Sequence, residues 1–157
     1  MTLNLTEHFT LAEATHTSHP IRNVPSAEVV VVLRATAAKM ELVRSCLDNQ
    51  PIRINSWYRC PELNSLVGSK PTSDHIRGAA VDFVCPNFGS TLEVCRRIIA
   101  NQDLLGFKQL ILEHGWVHIS FDPNPLTQPK LQVLSLLQSG SYAVGLTDPK
   151  GRYYSSL

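Results

Sequence analysis

In the stretch SDHIRGAAVDF, residues 73–83, a histidine and an aspartate stand seven positions apart, with a glycine and small or aliphatic residues between them. Read as a strand, the second half alternates, so Ala80 and Asp82 point to one face while Val81 and Phe83 point to the other. A bend at Gly78 would swing His75 back over the Asp82 carboxylate. Two ligands of a metal site have this form, and so does a buried polar pair.

Downstream, LILEHGWVHISF reads as two apolar strands around His114-Gly115. With those two residues as the loop, Glu113 pairs with Trp116, Leu112 with Val117 and Ile111 with His118, and cross-strand partners share a face. Glu113, Trp116 and His118 then lie on one side, with Val117, Ile119 and Phe121 on the core side. A general base, a third metal ligand and a substrate-facing wall would need such a trio. Two histidines and one carboxylate leave a fourth tetrahedral position for water, the pattern of catalytic rather than structural zinc. A neighbouring carboxylate takes the proton of such a water as it attacks a carbonyl. On chemistry alone, the metal site and a satisfied structural His–Asp pair stay level.

The elements that must hold these residues can be read along the chain. Residues 1–25 form an irregular arm with short helical potential in TLAEAT. SAEVVVVLRATAAKMELVRSCLDN then predicts a long helix capped by Ser26, its apolar positions recurring at helical spacing through Leu33, Ala37, Met40 and Leu47. The block Val29 to Val32 competes as strand, and the length of the periodic segment decides for helix. PIRIN (51–55) reads as a strand, SWYRCPELNSLVGS as a turn running into a short helix, AAVDFVCP as a second strand, and STLEVCRRIIAN as a helix capped by Ser90 or Thr91. After Phe121 come a Pro-rich loop, a last strand in LQVLSLL and a Gly/Ser/Tyr-rich tail.

Composition bounds the class. At 157 residues the chain reads as one domain, large enough to bury roughly 68–70% of its unfolded surface without a metal or disulfide staple. With 43% hydrophobic and 17% charged residues and a formal net charge of +1, nothing in the electrostatics favours nucleic acid or an anionic membrane. The four cysteines, at 46, 60, 85 and 95, fall in no C-x-x-C pair and read as free thiols of a protein made in a reducing compartment. No signal segment and no apolar run of membrane-spanning length is present, so the expectation is synthesis in the cytoplasm with no membrane insertion.

Taken together, Ser73, His75, Gly78, Ala80 and Asp82 match S-x-H-x-x-G-x-A-x-D. With Glu113, Trp116 and His118, they resemble the two-part signature of zinc D-alanyl-D-alanine carboxypeptidases and related phage peptidoglycan endopeptidases. INSWYRCPELN resembles that family's S-G-Y-R region, with Trp57 in place of the usual glycine, and HFTLAEAT resembles the N-terminal arm of its phage-type branch. The resemblance spans residues 5 to 121. It implies a small α+β fold with a central antiparallel sheet flanked by helices, and zinc on one sheet face through His75, Asp82 and His118. It also implies hydrolysis of a peptide bond in the peptidoglycan stem peptide or its crosslink. Residues 1–157 are then a single metallopeptidase domain, monomeric, with an N-terminal arm (1–25) and a poorly covered C-terminal extension (122–157). Its place of action would be the cell wall, as a phage lysin or a virion-associated enzyme.

One departure bears on the base. Several relatives carry the catalytic acid three positions before the last ligand, where this chain has Gly115. The hairpin register points instead to Glu113, with His114 as runner-up. Arg59, in the segment resembling the family's substrate-binding arginine, suits a carboxylate or carbonyl of the substrate through its planar fork; a surface salt bridge is its bland alternative. Ser73 either caps its turn or contacts substrate, and Trp116 faces the substrate side. Of Trp57 and Tyr58, one is expected to line the cleft. Two rival functions remain in view: a noncatalytic wall-binding or virion structural module of the same fold, and a thiol enzyme using Cys60 or Cys85.

Overall fold

The structure, a computed structural model, describes residues 3–155. In chain order it holds α1 (Leu11–Thr15), α2 (Ala27–Cys46), β1 (Arg53–Ser56), α3 (Pro61–Leu66), β2 (Ala80–Val84), α4 (Thr91–Ala100), α5 (Gln102–Leu105), β3 (Gln109–Leu112), β4 (Val117–Ser120), β5 (Gln132–Leu136) and β6 (Tyr142–Val144). The class is mixed α+β.

Helix α2 starts where the sequence predicts, because the Ser26 hydroxyl accepts the Val29 N–H and satisfies one of the first-turn donors. It buries Leu33, Thr36, Ala37, Met40 and Val43 while Val31 stays 68% exposed. The valine block is therefore helical, with one face inward. Each large apolar side chain so buried contributes about 1.5–3 kcal/mol. Helix α4 carries a capping box, in which Ser90 accepts the Glu93 N–H and Glu93 accepts the Ser90 N–H.

The sheet departs from the small antiparallel one expected. It is six-stranded and mixed, in the order β1-β2-β4-β3-β5-β6, with β5 parallel to β3 and the other pairs antiparallel. The physical reason lies in the 121–131 loop. Strand β4 ends at Ser120 opposite Gln109, the start of β3, and β5 begins at Gln132 opposite the same Gln109. The proline-rich loop thus steps around one end of the sheet without travelling its length, and the next strand must run alongside β3. The Gly/Ser/Tyr-rich tail supplies the sixth strand.

The β3–β4 hairpin has the predicted register, Ile111 opposite His118 and Leu112 opposite Val117, with the Glu113 N–H donating to the Trp116 carbonyl. His114 rather than Gly115 takes the positive φ of the loop, at 67°, a conformation that costs a non-glycine residue about 1–2 kcal/mol. Two bonds offset this: Thr91 Oγ1 donates to the His114 carbonyl, and His114 Nε2 lies 2.9 Å from the Leu136 carbonyl oxygen. One sheet face, carrying Val81, Phe83, Leu110, Leu112, Val117 and Ile119, forms the core with the helices. The other carries the polar groups.

The N-terminal arm is a packed buttress. Phe9 is buried edge-on against Trp57, ring centroids 6.1 Å apart, and Asn23 bridges the Tyr58 carbonyl and the Cys60 N–H. Among the described residues, no helix is long and apolar enough to cross a membrane.

Candidate active site

Strand alternation places Asp82 and His118 directly opposite one another on adjacent strands, on the face turned away from the core. The His75 loop folds over them. Gly78, at φ +77°, turns the chain back into β2. A Cβ there would sit 2.8 Å from Leu33 Cδ2, so α2 packs closely against the bend. Its carbonyl accepts from Thr36 Oγ1 and from Trp57 Nε1, each at 2.9 Å, which ties the loop to the core.

These elements bring His75, Asp82 and His118 into a group whose ligand atoms all lie within 4.8 Å of one another. Asp82 Oδ2 lies 3.3 Å from His75 Nε2, and Asp82 Oδ1 lies 2.8 Å from His118 Nδ1. On its far side, His75 Nδ1 stands 2.6 Å from the Trp57 carbonyl oxygen. A carbonyl only accepts, so Nδ1 carries the proton and the Nε2 lone pair is turned toward Asp82. A lone pair and a carboxylate facing each other at that distance attract only through a cation between them, either a second ring proton or a metal. Two imidazoles and one carboxylate, preset by such a partner, fit a divalent metal of the zinc type.

Burial works against ionisation of Asp82, but the hydrogen bonds and charge of His118 and His75 outweigh it and hold the carboxyl well below the usual carboxylate range. Arg59 adds its guanidinium 3.5 Å from Asp82 Oδ2. That arginine is itself aimed by Ser56 Oγ at Nε and by Asn64 Oδ1 at NH1, both at 3.2 Å. Asn64 is buried and donates in turn to the Lys70 carbonyl, so one amide fixes both the arginine and the loop above it.

The group opens on a cleft of about 680 Å³, which Arg59, Ser73, Glu113 and Trp116 also line. Glu113 stands one residue beyond the β3 end, and its carboxyl is pushed up by burial, with His118 pulling it down and Asp82 adding to the rise. Trp116 is 37% exposed. The Ser73 hydroxyl accepts the His75 N–H, and Ser73 also lines the cleft.

Other expectations fare differently. His114 is carried to the hairpin tip, where its ring meets the Leu136 backbone rather than the cleft. Trp57 is core, 1% exposed, and acts through its carbonyl and indole N–H; Tyr58, also buried, borders a separate hollow beside Arg59. Cys85 is badly placed for nucleophilic work. Cys85 is buried, its Sγ 3.4 Å from the Pro51 carbonyl oxygen, and burial pushes its pKa up. A further hollow of about 220 Å³ under the proline-rich loop, beside Lys39 and Phe121, lies away from the three ligands.

The family model for peptidase M15 matches residues 7–120. The chain belongs to the peptidase M15 family. No curated protein matches it. The M15 match runs from the buttressing arm to the end of β4 and so contains His75, Asp82 and His118, the group that could hold a metal, while β5 and β6 lie outside it. Three contributors to this M15 site carry no local sequence signal: the Trp57 carbonyl, the Asn64 clamp, and the ion pair of Asp74 with Lys108 at 2.9 Å that pins the loop before His75.

Proposed function

We propose that the chain is a zinc-dependent peptidase that hydrolyses a peptide bond in the peptidoglycan stem peptide or its crosslink. The observation that carries this reading is the His75–Asp82–His118 group facing the same open cleft as Glu113 and Arg59, in a member of a peptidase family. Zinc would be held by those three side chains and, when bound, supplies the Lewis acidity that polarises a carbonyl and acidifies a water.

The chain's own residues do the rest. Glu113, raised by burial, accepts the proton of the attacking water and returns it to the leaving amine. Arg59, preset by Ser56 and Asn64, holds a substrate carboxylate or carbonyl, and Trp116 forms part of the cleft wall. Stem peptides carry free carboxylates and D-residues, whereas ordinary proteins offer neither near most bonds. Arg59 and Lys70, both lining the cleft, complement such carboxylates.

The test is digestion of purified peptidoglycan by the zinc-loaded chain, with mass assignment of the new termini and casein as control. New amine and carboxyl termini in the stem or crosslink, with casein intact, are expected. Casein cleavage without action on the wall overturns the substrate. Binding to the wall with no new termini would establish the noncatalytic alternative.

A further inference from the structure

The sheet continues past the metal group by three strands. On the polar face, one row of paired positions runs Ser56, Asp82, His118, Ile111, Leu134 and Val144. The neighbouring row holds Leu136 paired with Tyr142, and Leu136 stands one step beyond the Leu112–Ser135 pair, level with Glu113. Leu134 and Tyr142 line the same cleft as Asp82, His118 and Glu113. Both come from the segment outside the family match.

This wall is braced from its far side. Ser135, buried, donates to the Gly145 carbonyl at 2.7 Å and accepts the Thr147 N–H at 2.9 Å, and the Thr147 side chain is buried as well. The tight β5–β6 connection is closed by the Leu137 N–H on the Ser141 carbonyl, with Gly140 at φ 90°. Tyr142 is thus held on a braced hairpin while the residue remains 50% exposed and lines the cleft. Burial, then the Glu113 and Asp82 carboxylates, raise the phenol pKa, so the hydroxyl stays a donor.

We propose that the β5–β6 hairpin is a substrate-binding wall, in which Tyr142 donates its hydroxyl to a carbonyl or carboxylate of the bound peptide several residues from the bond cleaved, over an apolar floor of Leu134. This rests on the peptidase reading above. From β4 to β6 is three strand intervals, about 14 Å at roughly 4.8 Å each, which an extended peptide spans in about four residues. Arg59, next to β1 on the other side, has no comparable run of sheet beyond it among the described residues. The site is therefore asymmetric, short toward Arg59 and long toward Tyr142, and it favours a substrate with several residues on one side.

The experiment uses the full chain and a stem peptide with a reduced, non-cleavable amide, alongside its cleavable counterpart, each also truncated from either end. Tyr142→Phe and Tyr142→Ala are compared with wild type for affinity, kcat/KM, zinc content and Tm. Loss of one hydroxyl donor should weaken binding of the long peptide about three- to tenfold, chiefly in Kd and KM with kcat little changed. Zinc content and Tm should stay as in wild type. Truncation at one end should abolish the difference between Tyr142→Phe and wild type, whereas truncation at the other should keep it. If wild type cleaves the long peptide and both variants match it within twofold, the wall proposal is overturned and the peptidase reading stands. If wild type neither binds nor cleaves any of the peptides, both fall together.

Discussion

At the β2–β4 end of the cleft, Asp82 and His75 are buried and their polar atoms are met by a carbonyl, an imidazole or a guanidinium. At the β6 end, Tyr142 stands half-exposed and Val144 is 73% exposed. The first region lies inside the family match and the second outside it. A metal ligand has to be held to within a few tenths of an ångström, which takes supporting partners around it. A wall that meets a peptide has only to present a surface. The hydrogen bonds are accordingly spent on orienting His75 and Arg59 at one end, and on keeping a hairpin's shape at the other.

The contrast is broken most severely by removing a proposed metal ligand. His118→Ala should abolish stoichiometric zinc binding and reduce hydrolysis to background, as read by metal analysis of protein purified without chelator. Unchanged zinc content would remove His118 from the ligand set. Next in size, Glu113→Gln should keep zinc while lowering the rate about 10²–10⁴-fold. Should His114→Ala show that loss in its place, the proton acceptor is at the hairpin tip after all.

Arg59→Ala should lower kcat/KM by the equivalent of about 1.5–3 kcal/mol, the worth of a hydrogen bond to a charged group. Its zinc content should be little altered, because Arg59 touches Asp82 only at 3.5 Å. Chelation should end activity but leave far-UV circular dichroism native at 25 °C. The core of Leu33, Met40, Phe83, Phe107, Ile119 and their neighbours needs no staple, and the ligand-linked part of Tm alone should fall. Loss of secondary structure on chelation would mean that the metal end is structural too. Smallest of all, Val144→Ser on the exposed rim should change stability by no more than about 0.5 kcal/mol. A larger effect measured by urea unfolding would show that the β6 end is as tightly packed as the ligand end.

Much of the juxtaposition of Asp82 and His118 was legible without coordinates because strand alternation and hairpin register are local. Once Val81 and Phe83 face a core, Asp82 must face away. Once His114 and Gly115 form the loop, Ile111 must pair with His118. The Ser26 and Ser90 caps were legible for the same reason, each depending on a donor three residues on. What the tertiary structure decided joins residues far apart in the chain. The Trp57 carbonyl reaches His75 across eighteen positions; Asn23 reaches Tyr58 across thirty-five. Strand β5 runs parallel to β3 because the 121–131 loop turns around one end of the sheet. Tyr142 enters the cleft because the parallel register carries the next hairpin onto the polar face. Covalent geometry sets which side of a strand a residue occupies. Which other segment it meets there is set by packing and closure of the whole chain.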